Sequence, residues 1–391
     1  MTAERRGGRN KTITLSEAEI GGYLDLCPRS YPGSLPGAAG YVIYADAFEA
    51  LAGLPDSFVD LLIADPPYNL AKIYAGKSFR KMSDGEYSDF TRRWLEAVRH
   101  TLKPAASVYV CCDWRTGMIV GNVLADFFTL RNRVTWQREK GRGAARNWKN
   151  SMEDIWFATV SPLEFTFNTD AVKVRRQVIA PYRVDGAPKD WVESAAGKFR
   201  DTFPSNFWDD ISIPYWSMPE NTNHPTQKPE KLFAKLVLAS SRPGDLVLDP
   251  FLGSGTSAVV AKKLGRGFIG IEREAEYCAY AQKRLAMAEL DGSIQGYTDG
   301  VFWERNTFKA QQREKSRPAG AGEASLFDRK RRRPAGAGEA SLFDRGDSRP
   351  AGAGEASLFD KEKSRPAGME GAGAEWRLEI WDGDESNGDE S

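Results

Sequence analysis

From residue 41 onward, short apolar runs of strand type alternate with segments of helical spacing. The runs 41–46 (YVIYAD), 59–64 (VDLLIA) and 107–112 (SVYVCC) predict buried strands, and 84–102 predicts a helix ending at Lys103-Pro104. Farther on, 229–241 predicts a helix, 246–249 a strand, 254–264 a helix, 267–272 (GFIGIE) a strand and 275–288 a helix. Strands alternating with helices predict an α/β fold with a doubly wound, mostly parallel sheet. Ligands of such sheets sit at the carboxyl ends of the strands.

Three stretches depart from this rhythm. Residues 1–40 form a polar N-terminal segment rich in Gly and Pro, and 131–222 is rich in Arg, Lys, Trp and Phe without a clean helical period. After residue 310 the chain turns to Gly, Ala, Pro and charge. There RPAGAGEASLFD occurs three times, from Arg317, Arg333 and Arg349, at a period of 16 residues. No repeat has enough apolar surface to fold alone, so 311–391 is expected to be a disordered tail. The organisation expected is therefore a sheet half at 41–130, an insert at 131–222, a second sheet half at 223–310, and the tail.

Formal charge balances at zero over the whole chain and is only +3 over residues 1–310, so any nucleic-acid contact must rest on local patches. The four cysteines, Cys27, Cys111, Cys112 and Cys278, form no CxxC pair, and with two histidines in all a zinc site is not expected. No apolar stretch approaches the ~18 residues of a membrane span, and no secretory leader is evident. A reduced, cytoplasmic protein without a metal fits.

Chemistry concentrates in two places. The run Asp249-Pro250-Phe251-Leu252-Gly253-Ser254-Gly255-Thr256 follows a strand and opens a helix. Gly253 and Gly255 permit a tight turn and close backbone approach to a ligand. Glu272 ends the next strand, where a carboxylate can accept hydrogen bonds from ribose hydroxyls. A nucleoside-type cofactor fits, whereas the three-glycine GxGxxG of a nicotinamide enzyme is not supplied by Ser257 and Ala258. The plainer alternative is a glycine turn needed only for packing.

The other place is Asp65-Pro66-Pro67-Tyr68, directly after the strand at 59–64. Two prolines fix an extended loop without donors at residues 66 and 67. Asp65 and the Pro66 carbonyl can both accept from an exposed amino group on a base, drawing its lone pair out of conjugation, while Tyr68 stacks on the ring. A proline-rich turn that merely caps the strand is the alternative.

Strand-DPPY, then HPTQKP at 224–229, then DPFLGSGT at 249–256, in that order, resembles the amino-methylating DNA methyltransferases of the beta permutation. The resemblance covers about residues 41–290. It implies a methyltransferase fold, S-adenosyl-L-methionine as cofactor, direct transfer to a flipped-out base, and a target-recognition region between the motif sets. Asp65, Pro66, Pro67 and Tyr68 would then be catalytic. Asp46, Lys228, Asp249, Phe251, Gly253, Ser254, Gly255, Thr256 and Glu272 would bind the cofactor, Lys228 at its methionine end. Asp46 can instead cap a helix from residue 47. His224 would be a turn residue, and Cys111 and Cys112 strand packing.

The resemblance implies double-stranded DNA as the partner, in a restriction-modification system or alone, and leaves monomer and homodimer open. Asp at the first motif position favours the N6 of adenine, with the N4 of cytosine as the alternative. A non-catalytic DNA-binding protein on the same fold, or an RNA or protein-glutamine methyltransferase, is the reading of another class. The intact motifs speak against the first, and Asp65 with the basic insert against the second.

Basic clusters supply DNA-contact candidates. Residues 131–149 hold seven basic residues against one acidic, with Trp136 and Trp148 interleaved; Arg138, Lys140, Arg142 and Arg146 are the candidates there. Arg175 and Arg176 form a second group, and Lys72, Lys77, Arg80 and Lys81 a third, on a loop expected to close over the flipped base. In the tail, each repeat ends in Ala-Ser-Leu-Phe-Asp, similar to the bacterial sliding-clamp-binding peptide. Glu323 and Ala324 stand where that peptide has Gln and Leu, and an in-frame repeat expansion is the alternative.

Two outcomes follow from the sequence. Alanine at Lys77, Arg80 and Lys81 together should weaken DNA binding measurably at moderate salt, and unchanged affinity would remove that loop from the interface. Residues 311–391 should retain purified clamp in a pull-down, lost when the three Leu-Phe pairs become Ala. No retention at micromolar concentration removes the clamp reading.

Overall fold

Eight strands form one sheet, in the order β1-β8-β7-β2-β3-β5-β4-β6. In chain order they are β1 (Gly40–Tyr44), β2 (Val59–Ala64), β3 (Leu102–Cys112), β4 (Thr129–Gln137), β5 (Met152–Thr159), β6 (Phe207–Trp208), β7 (Leu246–Asp249) and β8 (Gly267–Glu272). All run parallel except β5, which is antiparallel to both neighbours, β3 and β4. The computed structural model describes residues 9–34, 40–70, 72–74, 77–138, 147–179, 182–184, 187–194, 197–305 and 307. All belong to one unit, Met1–Arg333; a second, Pro334–Ser391, lies outside the described residues, as does the expected tail.

Among the described residues, seven α-helices accompany the strands: α1 (Glu17–Leu24), α2 (Ala47–Ala52), α3 (Asp84–Arg99), α4 (Thr116–Phe127), α5 (Glu230–Ser240), α6 (Thr256–Lys263) and α7 (Ala275–Leu290). The two-residue alternation of a strand divides the core. Leu61 and Ile63 of β2, with Tyr109 and Cys111 of β3, pack with α5, α6 and α7. Leu62 and Ala64, with Val108, Val110 and Cys112, pack with α2, α3 and α4 on the other face. Leu61, Leu62 and Ile63 are fully buried, and each such side chain contributes about 1.5–3 kcal/mol. Cys111 and Cys112 are therefore packing residues on opposite faces, both free thiols.

The expected elements are present, with shifted ends. Helix α3 stops at Arg99, and β3 begins five residues earlier than the apolar run suggests, taking in Lys103 and Pro104. The β2–β3 pairing slips there, between Val59 and Leu61, and a proline is tolerated at such an irregularity. The stretch expected as an insert is only partly one: its first residues supply β4 and β5, and Phe207–Trp208 supplies β6, all in the central sheet. Its remainder, with the chain after α7, builds a five-stranded sheet of Val192–Ser194, Gly197–Thr202, Val174–Gln177, Val301–Trp303 and Tyr297–Thr298.

Candidate active site

Strands β2 and β7 are parallel neighbours, with Leu61 opposite Val247 and Leu62 opposite Leu248, so the loops that follow them leave the same edge of the sheet. Asp65-Pro66-Pro67-Tyr68 follows β2, and Pro250 to Gly255 follows β7. Both loops line one cavity of about 180 Å³, together with Asp46, Lys228 and Glu272. The catalytic and cofactor candidates of the sequence thus meet in a single crevice.

The catalytic loop is braced from outside. The Tyr87 hydroxyl donates to the Pro67 carbonyl at 3.0 Å. Asn69, buried, donates through Nδ2 to the Met82 carbonyl at 2.8 Å and accepts from the Met82 N–H at 2.6 Å. The Pro-Pro pair restricts the backbone, and these bonds fix where it points.

Electrostatically the site is built around a buried ammonium. Lys228 Nζ lies 2.6 Å from Asp65 Oδ2 and 3.4 Å from Glu153 Oε2. The Tyr68 hydroxyl donates to Glu153 Oε2 at 3.3 Å, and Arg138 forms an ion pair with Glu153 Oε1. Lys228 and Glu153 are each about 5% exposed. Burial opposes the charge on Lys228, but Asp65 and Glu153 raise its pKa well above that of an ordinary lysine. Burial, then Asp65 and Glu153, push the Tyr68 phenol up, so it remains neutral. The second oxygen of Asp65, Oδ1, is buried and has no hydrogen-bond partner among the described residues.

The Lys228 ammonium is engaged by Asp65 and Glu153, and the residue also lines the shared cavity. Glu153 was not among the sequence candidates. It reaches the site because β5 runs against its neighbours, which brings the start of that strand to the edge where β3 ends: Cys112 pairs with Asp154.

On the cofactor side, Gly253 and Gly255 have φ of 56° and 88°, the left-handed region that glycine enters without strain. A Cβ at Gly253 would sit 3.1 Å from His224 Nε2, and one at Gly255 2.6 Å from the Ala281 methyl. Glu272 accepts from the Gly253 N–H at 2.8 Å and the Glu274 N–H at 2.8 Å, fixing the turn to the end of β8. Asp249 accepts from the Phe251 N–H at 2.9 Å and from the Ser257 hydroxyl. Phe251 meets Trp94 edge-on at 5.5 Å. Ser254 and Thr256 are tied to Arg284 and Lys228 through Arg284 Nη1 and the Lys228 carbonyl. Asp46 caps α2, accepting from the Phe48 N–H at 2.9 Å, and also lines the cavity. His224 is a turn residue packed 4.4 Å from the Tyr277 ring.

The DNA-contact candidates separate. Arg80 and Lys81 are exposed, Arg80 with a loose partner in Glu86 at 3.5 Å. Arg138 serves Glu153. Arg175 is bidentate to Asp201 at 2.8 and 2.9 Å and lies over the Trp303 ring, and Arg176 faces Asp209 at 3.7 Å. Arg175 is thus paired within the second sheet, and Arg176 faces a carboxylate just after β6. Lys140, Arg142, Arg146 and the side chains of Lys72 and Lys77 lie outside the described residues. Among the described residues no His, Cys, Asp and Glu cluster could hold a metal ion, and no helix is long and apolar enough to cross a membrane.

The family model described as DNA methylase, of the N6/N4 methyltransferases, matches residues 59–283. The type II methyltransferase M.HpaI of Haemophilus parainfluenzae is 35% identical over 246 residues, 62% of this chain and 73% of that protein. The DNA adenine methyltransferase YhdJ of Escherichia coli is 34% identical over 257 residues, 63% of this chain and 83% of that protein. Among solved structures, the cytosine-N4-specific PvuII DNA methyltransferase is similar at a TM-score of 0.46 and 20% identity, over 64% of this chain and 89% of that one.

Asp249 gives the cofactor side a pH signature. Burial pushes its carboxyl up to about 7, only partly offset by its two hydrogen bonds. A carboxyl whose folded pKa exceeds its unfolded value, about 4, contributes stability that is complete at low pH and lost as pH rises through the folded value. The Tm of the ligand-free protein should therefore decline between about pH 4 and 7, and Asp249→Asn should flatten that decline. An identical slope in the variant would show that Asp249 titrates as a solvated group.

Proposed function

Because this chain belongs to the N6/N4 DNA methylase family, we propose that it transfers a methyl group from S-adenosylmethionine to the N6 of adenine in double-stranded DNA. The observation that carries the reading is the asymmetry of Asp65, a residue lining the shared cavity: one oxygen is held by Lys228 and the other is buried and unpartnered. A buried carboxylate oxygen without a donor is costly. An exocyclic amine, which carries two N–H groups, supplies that donor. Pro66 lines the same cavity and offers a carbonyl beside it.

The cradle fits the cofactor. Gly253 lines the cavity, where a side chain would crowd His224, and α6 begins at Thr256 without a side-chain cap on its first N–H groups. Asp46 and Glu272 line the cavity, and on this reading their carboxylates accept from hydroxyl or amine donors of a nucleoside. When bound, the cofactor supplies an electrophilic methyl on a sulfonium: the N–CH3 bond forms, the CH3–S bond breaks, and the electron pair stays on sulfur.

The chain's own residues prepare the acceptor. Asp65 Oδ1 accepts from the amine, drawing its lone pair out of the ring and orienting it. Tyr68, kept neutral and held by Glu153, offers an aromatic face on which a base removed from the duplex can stack. Extrusion of the base is part of the reading, because an amine within the duplex stack cannot reach a crevice at the end of β2. Adenine is preferred to cytosine on the Asp of DPPY and on the adenine relative YhdJ. A restriction-modification role is suggested by the type II relative M.HpaI, and the Leu-Phe pairs of the tail add a clamp contact on sequence alone.

Incubating the purified chain with methyl-labelled cofactor and unmethylated DNA, then digesting to nucleosides for mass spectrometry, should yield N6-methyladenine. Asp65→Ala should lower incorporation by at least about a hundredfold, the scale of one positioned group in catalysis. N4-methylcytosine as the product would overturn the adenine assignment, and absence of label in DNA would overturn the transferase reading.

A further inference from the structure

The reaction leaves a problem that DPPY does not solve. Once methylated, the amine nitrogen carries an extra proton, and Asp65 Oδ1 is the acceptor beside it. If Asp65 takes that proton it ceases to be an anion, and the buried Lys228 loses the carboxylate at 2.6 Å. The second carboxylate within reach of that ammonium is Glu153, at 3.4 Å. The charged groups facing this cluster are Asp65 from β2, Glu153 from β5, Lys228 from the segment before α5 and Arg138 after β4.

We propose that Glu153 is a positioning residue: it holds Lys228 when Asp65 is protonated, and holds Tyr68 throughout. This deepens the transferase reading and rests on it. The proton passes from the methylated nitrogen to Asp65 Oδ1. Lys228 keeps all three of its own protons and shifts its pairing toward Glu153. Nothing is oxidised or reduced, and the proton leaves Asp65 to solvent after the product base departs. Arg138 balances Glu153 while Lys228 is committed to Asp65, so two cations face two anions before the proton moves.

Glu153→Gln is nearly isosteric and can still accept from Tyr68, but it removes the alternative counter-charge. In single-turnover assays on the full chain it should slow methyl transfer by about ten- to a hundredfold, with the Kd for cofactor and for DNA within twofold of wild type. The decisive variant is Lys228→Met. In that background Glu153→Gln should cost less than twofold, because the ammonium it serves is gone.

Transfer by Glu153→Gln within twofold of wild type would overturn the inference, as would equal losses from that substitution with and without Lys228. A variant that loses cofactor affinity or thermal stability in proportion to its rate would assign Glu153 to the scaffold instead and overturn it also. Failure of the wild-type chain to methylate DNA at all is the separate outcome that removes the underlying reading.

Discussion

An ammonium taken out of water must be answered by a carboxylate, and Lys228 is answered by two. Removing one partner of a buried ion pair typically costs about 3–5 kcal/mol, a large share of a domain's stability. The chain can place Lys228 there only because three separated segments converge on it. Asp65 ends β2, Glu153 begins β5, and Lys228 itself precedes α5, whose residues are buried throughout. The sheet order is thereby tied to the chemistry: β2, β3 and β5 are consecutive neighbours, and the carboxylates stand on the two outer strands of that trio.

The same constraint explains the asymmetry of Asp65. A carboxylate with both oxygens solvated would be an indifferent acceptor, and one with both oxygens satisfied would be none. Here Lys228 occupies Oδ2, while Oδ1 is buried and has no hydrogen-bond partner among the described residues. Low local dielectric makes that oxygen selective for a donor, because any group unable to donate leaves its cost in place. Asn69 and Tyr87 matter for the same reason, since a free acceptor is useful only if the loop cannot turn it away.

Much of this was legible in the residues, for identifiable reasons. The buried strands at 59–64, 246–249 and 267–272 are short apolar runs closed by chemistry-bearing residues, and their bounds match the structure. DPPY and DPFLGSGT carry their geometry in prolines and glycines, whose backbone limits are local. Glu153 was hidden because its importance comes from the reversal of one strand, a non-local fact without a motif of its own. The strand that carries it looked like insert because basic and aromatic residues dilute the alternation on either side. Lys228 was visible as a site residue, but its partners lie 163 and 75 positions away in the sequence, beyond any spacing rule.

Charge elsewhere in the fold is divided by the same logic. Lys231 and Lys235 converge on the buried Asp210, each at 2.7 Å, and Arg284 and Lys263 on Glu230 at 3.0 and 2.7 Å. With Arg138, Arg175 and Lys228, these are cations whose charge is consumed inside the protein. Seven cations committed in this way are withdrawn from any contact with a polyanion. Exposed positions such as Arg80 and Lys81 remain candidates for attraction to phosphates. Counting basic residues along the sequence overstates the interface wherever those residues answer a buried carboxylate, and burial, not composition, decides which of them DNA can meet.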